Sequence, residues 1–361
     1  MHVEQLWLTD FRSYRDAELA PAPEGLTVVK GANGEGKTNL LEAIAYLATL
    51  RSFRGAPGEA LVRVGAPHAV VRAEAARQGR RLLLEAELRP SGRDRVQVNR
   101  QPLRRARDLL GALQVTVFAP DDLALVKGGP HERRGYLDDL LVALHPRHDA
   151  SRSEVERVLR QRGALLKSAQ GQPRPPSDVI STLDVWDAKL GAAGEALVAA
   201  REGLVAALGE PTARAYQCLA GAGGDGVTLR YGRSWTGSLV EALGAARADD
   251  LRRGVSTVGP HRDEVVVEIG GLPARTHASQ GEQRSSALSL RLAGHEVVTR
   301  RVGTAPVLLL DDVFSELDRD RAAALLTVLP AGQAVLTTTG DVPAGAHPAL
   351  TVHVEGGKLI T

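Results

Sequence analysis

"GANGEGKTN", residues 31–39, decides the fold. It fits G-x-x-x-x-G-K-[ST], with the apolar "GLTVVK" before it and "TNLLEAIAYLATL" after it, whose apolar residues recur at helical spacing. Strand, glycine loop and helix in that order form the context of a phosphate loop. The glycines let successive N–H groups turn inward around an anion, and the helix adds its N-terminal partial charge. The candidate cradle is Gly31, Ala32, Asn33, Gly34, Glu35, Gly36, Lys37, Thr38 and Asn39. Lys37 is placed to reach the β- and γ-phosphates, and the Thr38 hydroxyl to ligate Mg²⁺. The competing reading is a plain glycine-rich turn. The motif points to ATP or GTP without saying what the nucleotide does.

A second stretch completes the chemistry. "VLLLDD" (307–312) places two carboxylates at the end of a near-continuous apolar run, the pattern of a strand buried on both faces. In a phosphate-loop protein Asp311 holds Mg²⁺, and Asp312 is placed to polarise the attacking water. The alternative is a pair of exposed acids capping the next turn.

The bulk numbers set limits. The chain has 361 residues, enough for one large or two moderate domains. Hydrophobic residues make up 43% and aromatics only 3%, which argues against single-strand binding on an aromatic platform. A net charge of +2 identifies no nucleic-acid partner; the basic residues are mostly arginine, which suits bidentate contacts to phosphate. A single cysteine, Cys218, excludes an intrachain disulfide and fits a reducing cytoplasm. No secretion signal and no run of membrane-spanning length is present, so a cytoplasmic, nucleoid-associated protein with no membrane partner is expected.

Along the chain, short strands are expected over 2–30 and a helix over about 38–50. Strands follow in "PHAVVRAEAA", "RRLLLEAEL" and "DRVQVNR", with a hairpin turn at "RPSGRD", then a short helix "ARDLLGAL" and a strand "QVTVFAP". From about 131 to 220 the chain reads as helical, interrupted by the proline-rich "QGQPRPPSD". Leu183, Trp186, Leu190, Leu197, Leu204 and Leu208 form one apolar stripe, read as packing against a neighbouring helix. "GAGGDG" (221–226) marks a loop, strand character returns with "DEVVVEIGG", and a helix begins near 280. A helix at 318–329, a buried strand "GQAVLTTTG" and a terminal hairpin complete the chain. The fold class is α/β: a split ATPase domain over 1–120 and 255–361, with a mainly helical domain inserted over 121–254.

"SQGEQ" (279–283) then acquires a meaning. Its order and spacing ahead of "VLLLDD" resemble the signature motif of ABC-type ATPases. The resemblance implies that Ser279, the Gly281 backbone and Glu282 cap a nucleotide held by the other subunit of a dimer. It also implies that "SELD" (315–318), with Asp318, is the D-loop crossing the same interface. The alternative is that Ser279 or Gln280 merely caps the helix.

The family narrows further. "LWLTDFRSY" and "GANGEGKTNLLEAI" are similar to the opening of the SMC-like chromosome-maintenance ATPases, but the hundreds of coiled-coil residues of the SMC branch are missing. "RSFRG" (51–55), "FAPDDLALVKGGPHERRGYLD" (118–138), "VGPHRDE" (258–264) and "LLLDDVFSELD" (308–318) together resemble the RecF family over nearly the whole chain. That resemblance implies an ABC-type ATPase head and an ATP-dependent homodimer that binds duplex DNA at gaps or junctions. It further implies work with RecO and RecR to load RecA in replication, recombination, repair and the SOS response, and weak DNA-stimulated hydrolysis. The chain departs from the general ABC pattern at Asp312, where transporters carry Glu, so slow hydrolysis is expected. No histidine directly follows "AVLTTTG", leaving the switch position empty or taken by a threonine such as Thr339.

Candidate DNA contacts are Arg51 and Arg54, the hairpin arginines Arg93, Arg95 and Arg100, and Arg104, Arg105 and Arg107. Arg133, Arg134, Arg160 and Arg162 are candidates in the inserted domain; the competing reading for each is a solvated arginine. No helix-turn-helix or zinc-ligand spacing is present, so backbone binding is expected rather than sequence reading. Two other classes compete: the ATPase subunit of a membrane transporter, and a monomeric phosphate-loop kinase that has no need of Ser279.

Overall fold

The computed structural model describes residues 1–172, 176–221 and 225–360. The expected proline-rich break and the "GAGGDG" loop lie partly outside these. The chain forms two compact units, the first of residues 1–123, 211–226 and 279–361, the second of 124–210 and 227–278.

The first unit is layered around the helix Lys37–Thr49. A six-stranded sheet carries, in spatial order, Lys358–Ile360, Pro348–Glu355, Gly25–Lys30, Gln333–Thr338, Val307–Asp311 and Val115–Phe118. All neighbours pair in parallel except the terminal hairpin. Val307–Asp311 is buried at every position, as its unbroken apolar run requires. Val307 and Leu309 join Leu40, Leu41, Ile44 and Leu47 of the helix on one face. Leu308 and Leu310 join Leu288, Leu292 and Leu325 on the other. The helix also packs on an antiparallel sheet built from the N-terminal strands His2–Phe11 and Tyr14–Leu19 and from Ala69–Arg77, Arg80–Leu88, Arg95–Val98 and Gln101–Pro102. The expected "RPSGRD" hairpin joins Arg80–Leu88 to Arg95–Val98, whereas "ARDLLGAL" gives only a single 3₁₀ turn, Ala106–Leu109.

The second unit holds the helices Pro130–Leu144, Arg147–Ala169 and Leu239–Arg253, and Ser177–Ala220 as far as Glu210. The stripe leucines 183, 190, 197, 204 and 208 are buried. Gly191 and Gly194 let the long helix approach Val240 and Leu239 closely, with Cβ atoms there 2.2 and 2.6 Å from those side chains.

The helical stretch to about 220 and the strand in "DEVVVEIGG" are both present, each with a detail that the sequence reading lacked. Ser177–Ala220 passes through Pro211 without ending, although proline removes one helical hydrogen bond. Residues 227–278 contribute a three-stranded antiparallel sheet, with Val227–Gly232 and Leu272–Pro273 flanking Glu264–Ile269. The sequence boundary at 254 splits that sheet, which belongs wholly to the second unit.

Candidate nucleotide site and its signature cluster

The phosphate loop leaves the carboxyl end of Gly25–Lys30, next to Gln333–Thr338 and one strand from Val307–Asp311. In open parallel sheets this end is where ligands bind. Gly34 and Gly36 have φ of +86° and +102°, the left-handed region that glycine enters without strain. A Cβ at Gly36 would also lie 2.5 Å from Ser13 Oγ, so that turn closes only with glycine. Tyr14 Oη donates to Gly36 O at 3.1 Å and Asn39 Nδ2 to Ser13 Oγ at 3.0 Å, tying the loop to the N-terminal strands.

The acidic end of Val307–Asp311 meets the loop directly. Thr38 Oγ1 donates to Asp311 Oδ1 at 2.7 Å. Thr337 Oγ1, from the strand between, donates to the same oxygen at 2.7 Å. Burial raises the Asp311 pKa, opposed by these hydroxyl bonds and by the nearby Arg54 charge. Lys37 Nζ donates to Gly31 O and Ala32 O, both at 2.8 Å. Burial lowers its pKa, opposed by Asp312, Asp311 and Glu35. Asp312 stands at φ 48°, and its buried Oδ1 has no hydrogen-bond partner among the described residues. A glycine cradle, an ammonium, a hydroxyl–carboxylate pair and an orphaned carboxylate oxygen together fit a nucleotide triphosphate with Mg²⁺.

The signature residues form a second cluster. Ser279 is the N-cap of helix Gln280–Val302: its Oγ accepts from Glu282 N, and Glu282 Oε2 accepts from Ser279 N at 2.7 Å. Those bonds hold the Glu282 carboxyl below its ordinary pKa. The helix-cap reading of "SQGEQ" is therefore physically present, and a capped N-terminus is also an anion-facing one. Asp318 caps the helix Arg319–Val328, accepting from Arg321 N at 2.9 Å. Between the two clusters, Ser315 Oγ donates to Asp312 O at 2.8 Å, and Arg284 of the signature helix donates to Glu316 O at 2.6 Å.

Comparison with known proteins fits this geometry. Residues 2–339 match the RecF/RecN/SMC N-terminal domain family. The DNA replication and repair protein RecF of Streptomyces avermitilis is 46% identical over 358 residues, covering 95% of each chain. The chain belongs to the RecF family. RecF of Kineococcus radiotolerans is also 46% identical, covering 100% of this chain and 99% of the relative. A solved structure of the recombination mediator protein RecF with ATP, in the RecFOR pathway, matches with a TM-score of 0.90 at 26% identity, covering 99% of this chain and 97% of that one. Like other RecF-family proteins, the chain is an ABC-type, SMC-like ATPase.

The remaining candidates divide by burial. Arg51, Arg54, Arg93, Arg95, Arg100, Arg104, Arg105 and Arg107 are exposed. Arg133 and Arg162 are not available to DNA, which corrects the sequence reading. Arg133 is buried and forks onto both Glu264 oxygens at 2.8 and 2.9 Å. Arg162 is fully buried between Asp187 and Asp250. Arg134 donates to Asp263 O at 2.6 Å, while Arg160 stays exposed. Thr339 is exposed; the threonine on the acidic strand end is Thr337, two positions earlier. Thr337 is level with Asp311 in the register, whereas Thr339 lies past the strand's end at Thr338.

Proposed function

We propose that this chain is an ATP-gated DNA clamp acting in recombinational repair. The observation that carries the reading is the shared acceptor, Asp311 Oδ1, which draws Thr38 of the phosphate loop and Thr337 of the central strand to one point. Lys37 and the loop N–H groups bind and orient the triphosphate of ATP. Thr38 and Asp311 are the residues that would hold Mg²⁺, which when bound offsets phosphate charge. The free Oδ1 of Asp312 takes the proton of the attacking water. Aspartate is one methylene shorter than the glutamate of transporters, and slow turnover follows from that weaker reach; stimulation by DNA and the resetting of the clamp are what family membership supports.

Ser279, the Gly281 backbone, Glu282 and Asp318 complete the site of a second copy, so ATP creates the homodimer interface. DNA is held through its phosphates. Residues 89–108 carry seven arginines against Asp94 and Asp108, in a chain whose net charge is only +2. They lie at the outer edge of the antiparallel sheet, formed by Arg95–Val98 and Gln101–Pro102. Gap or junction binding with RecO and RecR, leading to RecA loading, is the task that family membership supports. We place the protein in the cytoplasm at the nucleoid; among the described residues no helix is long and apolar enough to cross a membrane.

The test is light-scattering mass with Mg²⁺, with and without ATP, for wild type, Ser279→Arg and the cap control Ser279→Asp. Dimerisation of wild type and of the control, with a monomeric Ser279→Arg that still binds ATP, is expected. A wild type indifferent to ATP, or an arginine variant that dimerises equally well, overturns the trans reading.

A further inference from the structure

Arg321 joins the two segments that the proposed dimer presents in trans. It sits in the first turn of Arg319–Val328, and its Nη1 pairs with Asp318 Oδ2. Its Nε donates to Ser285 Oγ at 3.3 Å, inside the signature helix, where Ser285 is fully buried. The guanidinium also covers Gly281: a Cβ there would lie 2.7 Å from Nη2 and 2.9 Å from Cζ. Gly281 stands in the first turn of that helix, where alanine would favour the helix intrinsically. The missing side chain makes room for Arg321.

We infer that Arg321 is a positioning residue that fixes Asp318 and the turn Ser279–Glu282 as one unit for the partner's nucleotide. The inference rests on the trans reading above. Three contacts in different directions, to Asp318, Ser285 and the face of Gly281, use the planar fork of arginine, which the single ammonium of lysine cannot reproduce. The pair itself adds little to stability: Asp318 is 51% and Arg321 31% exposed, three residues apart on one helix. Losing Arg321 therefore leaves the fold intact and loosens the presentation of two ligand-facing segments together.

The experiment uses the full chain with Mg²⁺-ATP. Arg321→Ala and Arg321→Lys are each expected to bind ATP as monomers with wild-type affinity, and to weaken ATP-dependent dimerisation about tenfold, the loss of one charged hydrogen bond. Gly281→Ala, whose Cβ displaces the guanidinium, is expected to match them, and the double variant with Arg321→Ala to be no worse than the single. Mixing supplies the readout that a structural defect would not move. Arg321→Ala keeps its phosphate loop and Lys37→Met keeps its signature unit, so a mixed dimer regains one intact composite site, and hydrolysis should rise well above either variant alone. Normal dimerisation of Arg321→Ala, or failure of the mixture to recover, overturns the inference while leaving the trans reading standing. If wild type itself ignores ATP, both fall.

Discussion

Thr337 Oγ1 donates to Asp311 Oδ1 at 2.7 Å from the neighbouring parallel strand. The same hydroxyl lies 3.1 Å from Asp312 N, so one side chain orients both acids of the strand end. Second-layer hydrogen bonds of this kind set the direction of metal-binding carboxylates, and their loss costs roughly 10–100-fold in metal affinity or activity. Thr337→Val keeps the shape and removes the bond. We expect hydrolysis to drop by about tenfold and the Mg²⁺ concentration for half-maximal rate to rise. Metal-free nucleotide binding should change little. A variant with an unaltered Mg²⁺ titration would remove Thr337 from the site.

His295 supplies a pH dependence of stability. It is buried in the signature helix, its Nδ1 lies 3.0 Å from Thr116 Oγ1, and its Nε2 has no partner among the described residues. Burial depresses its pKa from 6.5 to about 4, with Glu296 pulling weakly the other way. The unfolded chain therefore binds a proton that the folded chain refuses. Stability from this residue is complete above pH 6.5, falls as pH drops through the window to about 4, and is flat below it. The whole window amounts to roughly 3 kcal/mol. Urea unfolding at pH 5 and pH 7 should show a smaller pH difference in His295→Asn than in wild type; equal differences would place the titration elsewhere.

The nucleotide site was legible because its signals are local. A glycine loop between strand and helix, and two acids ending an apolar run, carry their geometry in consecutive residues. Thr337 was harder: three consecutive threonines look alike until the register sets residue 337 opposite Asp311. The arginines show the opposite limit. Arg162 and Arg160 stand two residues apart, on opposite faces of one helix, and Arg162 is fully buried while Arg160 is exposed; the buried one is neutralised by Asp187 and Asp250 from distant helices. The helix period sets Arg162 on the inward face with Val155, Val158 and Leu166, but the carboxylates that let an arginine stand there come from distant sequence. Pro211 lies inside the stretch read as helical to about 220, and the 44-residue helix runs through it despite one missing hydrogen bond.

That buried network makes its own prediction. Arg162 donates to Asp187 at 2.6 Å, to Asp250 at 2.7 Å and to Ser256 at 2.8 Å, and Asp250 also accepts from Thr257 N at 2.8 Å. Arg162→Met leaves the Asp250 carboxylate buried without its cation, a change that costs about 3–5 kcal/mol. The urea midpoint should fall accordingly. Replacing Arg162, Asp187 and Asp250 together by apolar residues should recover much of that loss, because the desolvation cost disappears with the charges. A single variant as stable as wild type would contradict this account.

The arginines at the sheet edge are tested by salt rather than by affinity alone. Neutralising one phosphate contact lowers the slope of log K against log salt by about 0.9. Arg104→Ala with Arg105→Ala should therefore flatten the slope for duplex DNA by about 1 to 2 and weaken binding uniformly across sequences. Arg160→Ala serves as the control: it too is exposed but belongs to the second unit, and its neighbour Glu156 lies 3.9 Å away. Binding measured by fluorescence anisotropy from low to high salt, with ATP and Mg²⁺, decides the matter. A double variant with an unchanged slope would move the DNA off this edge, and Arg54 beside the nucleotide site would then be the first exposed arginine to test. A slope lost equally in the Arg160 control would mean that net charge, not this edge, sets the affinity.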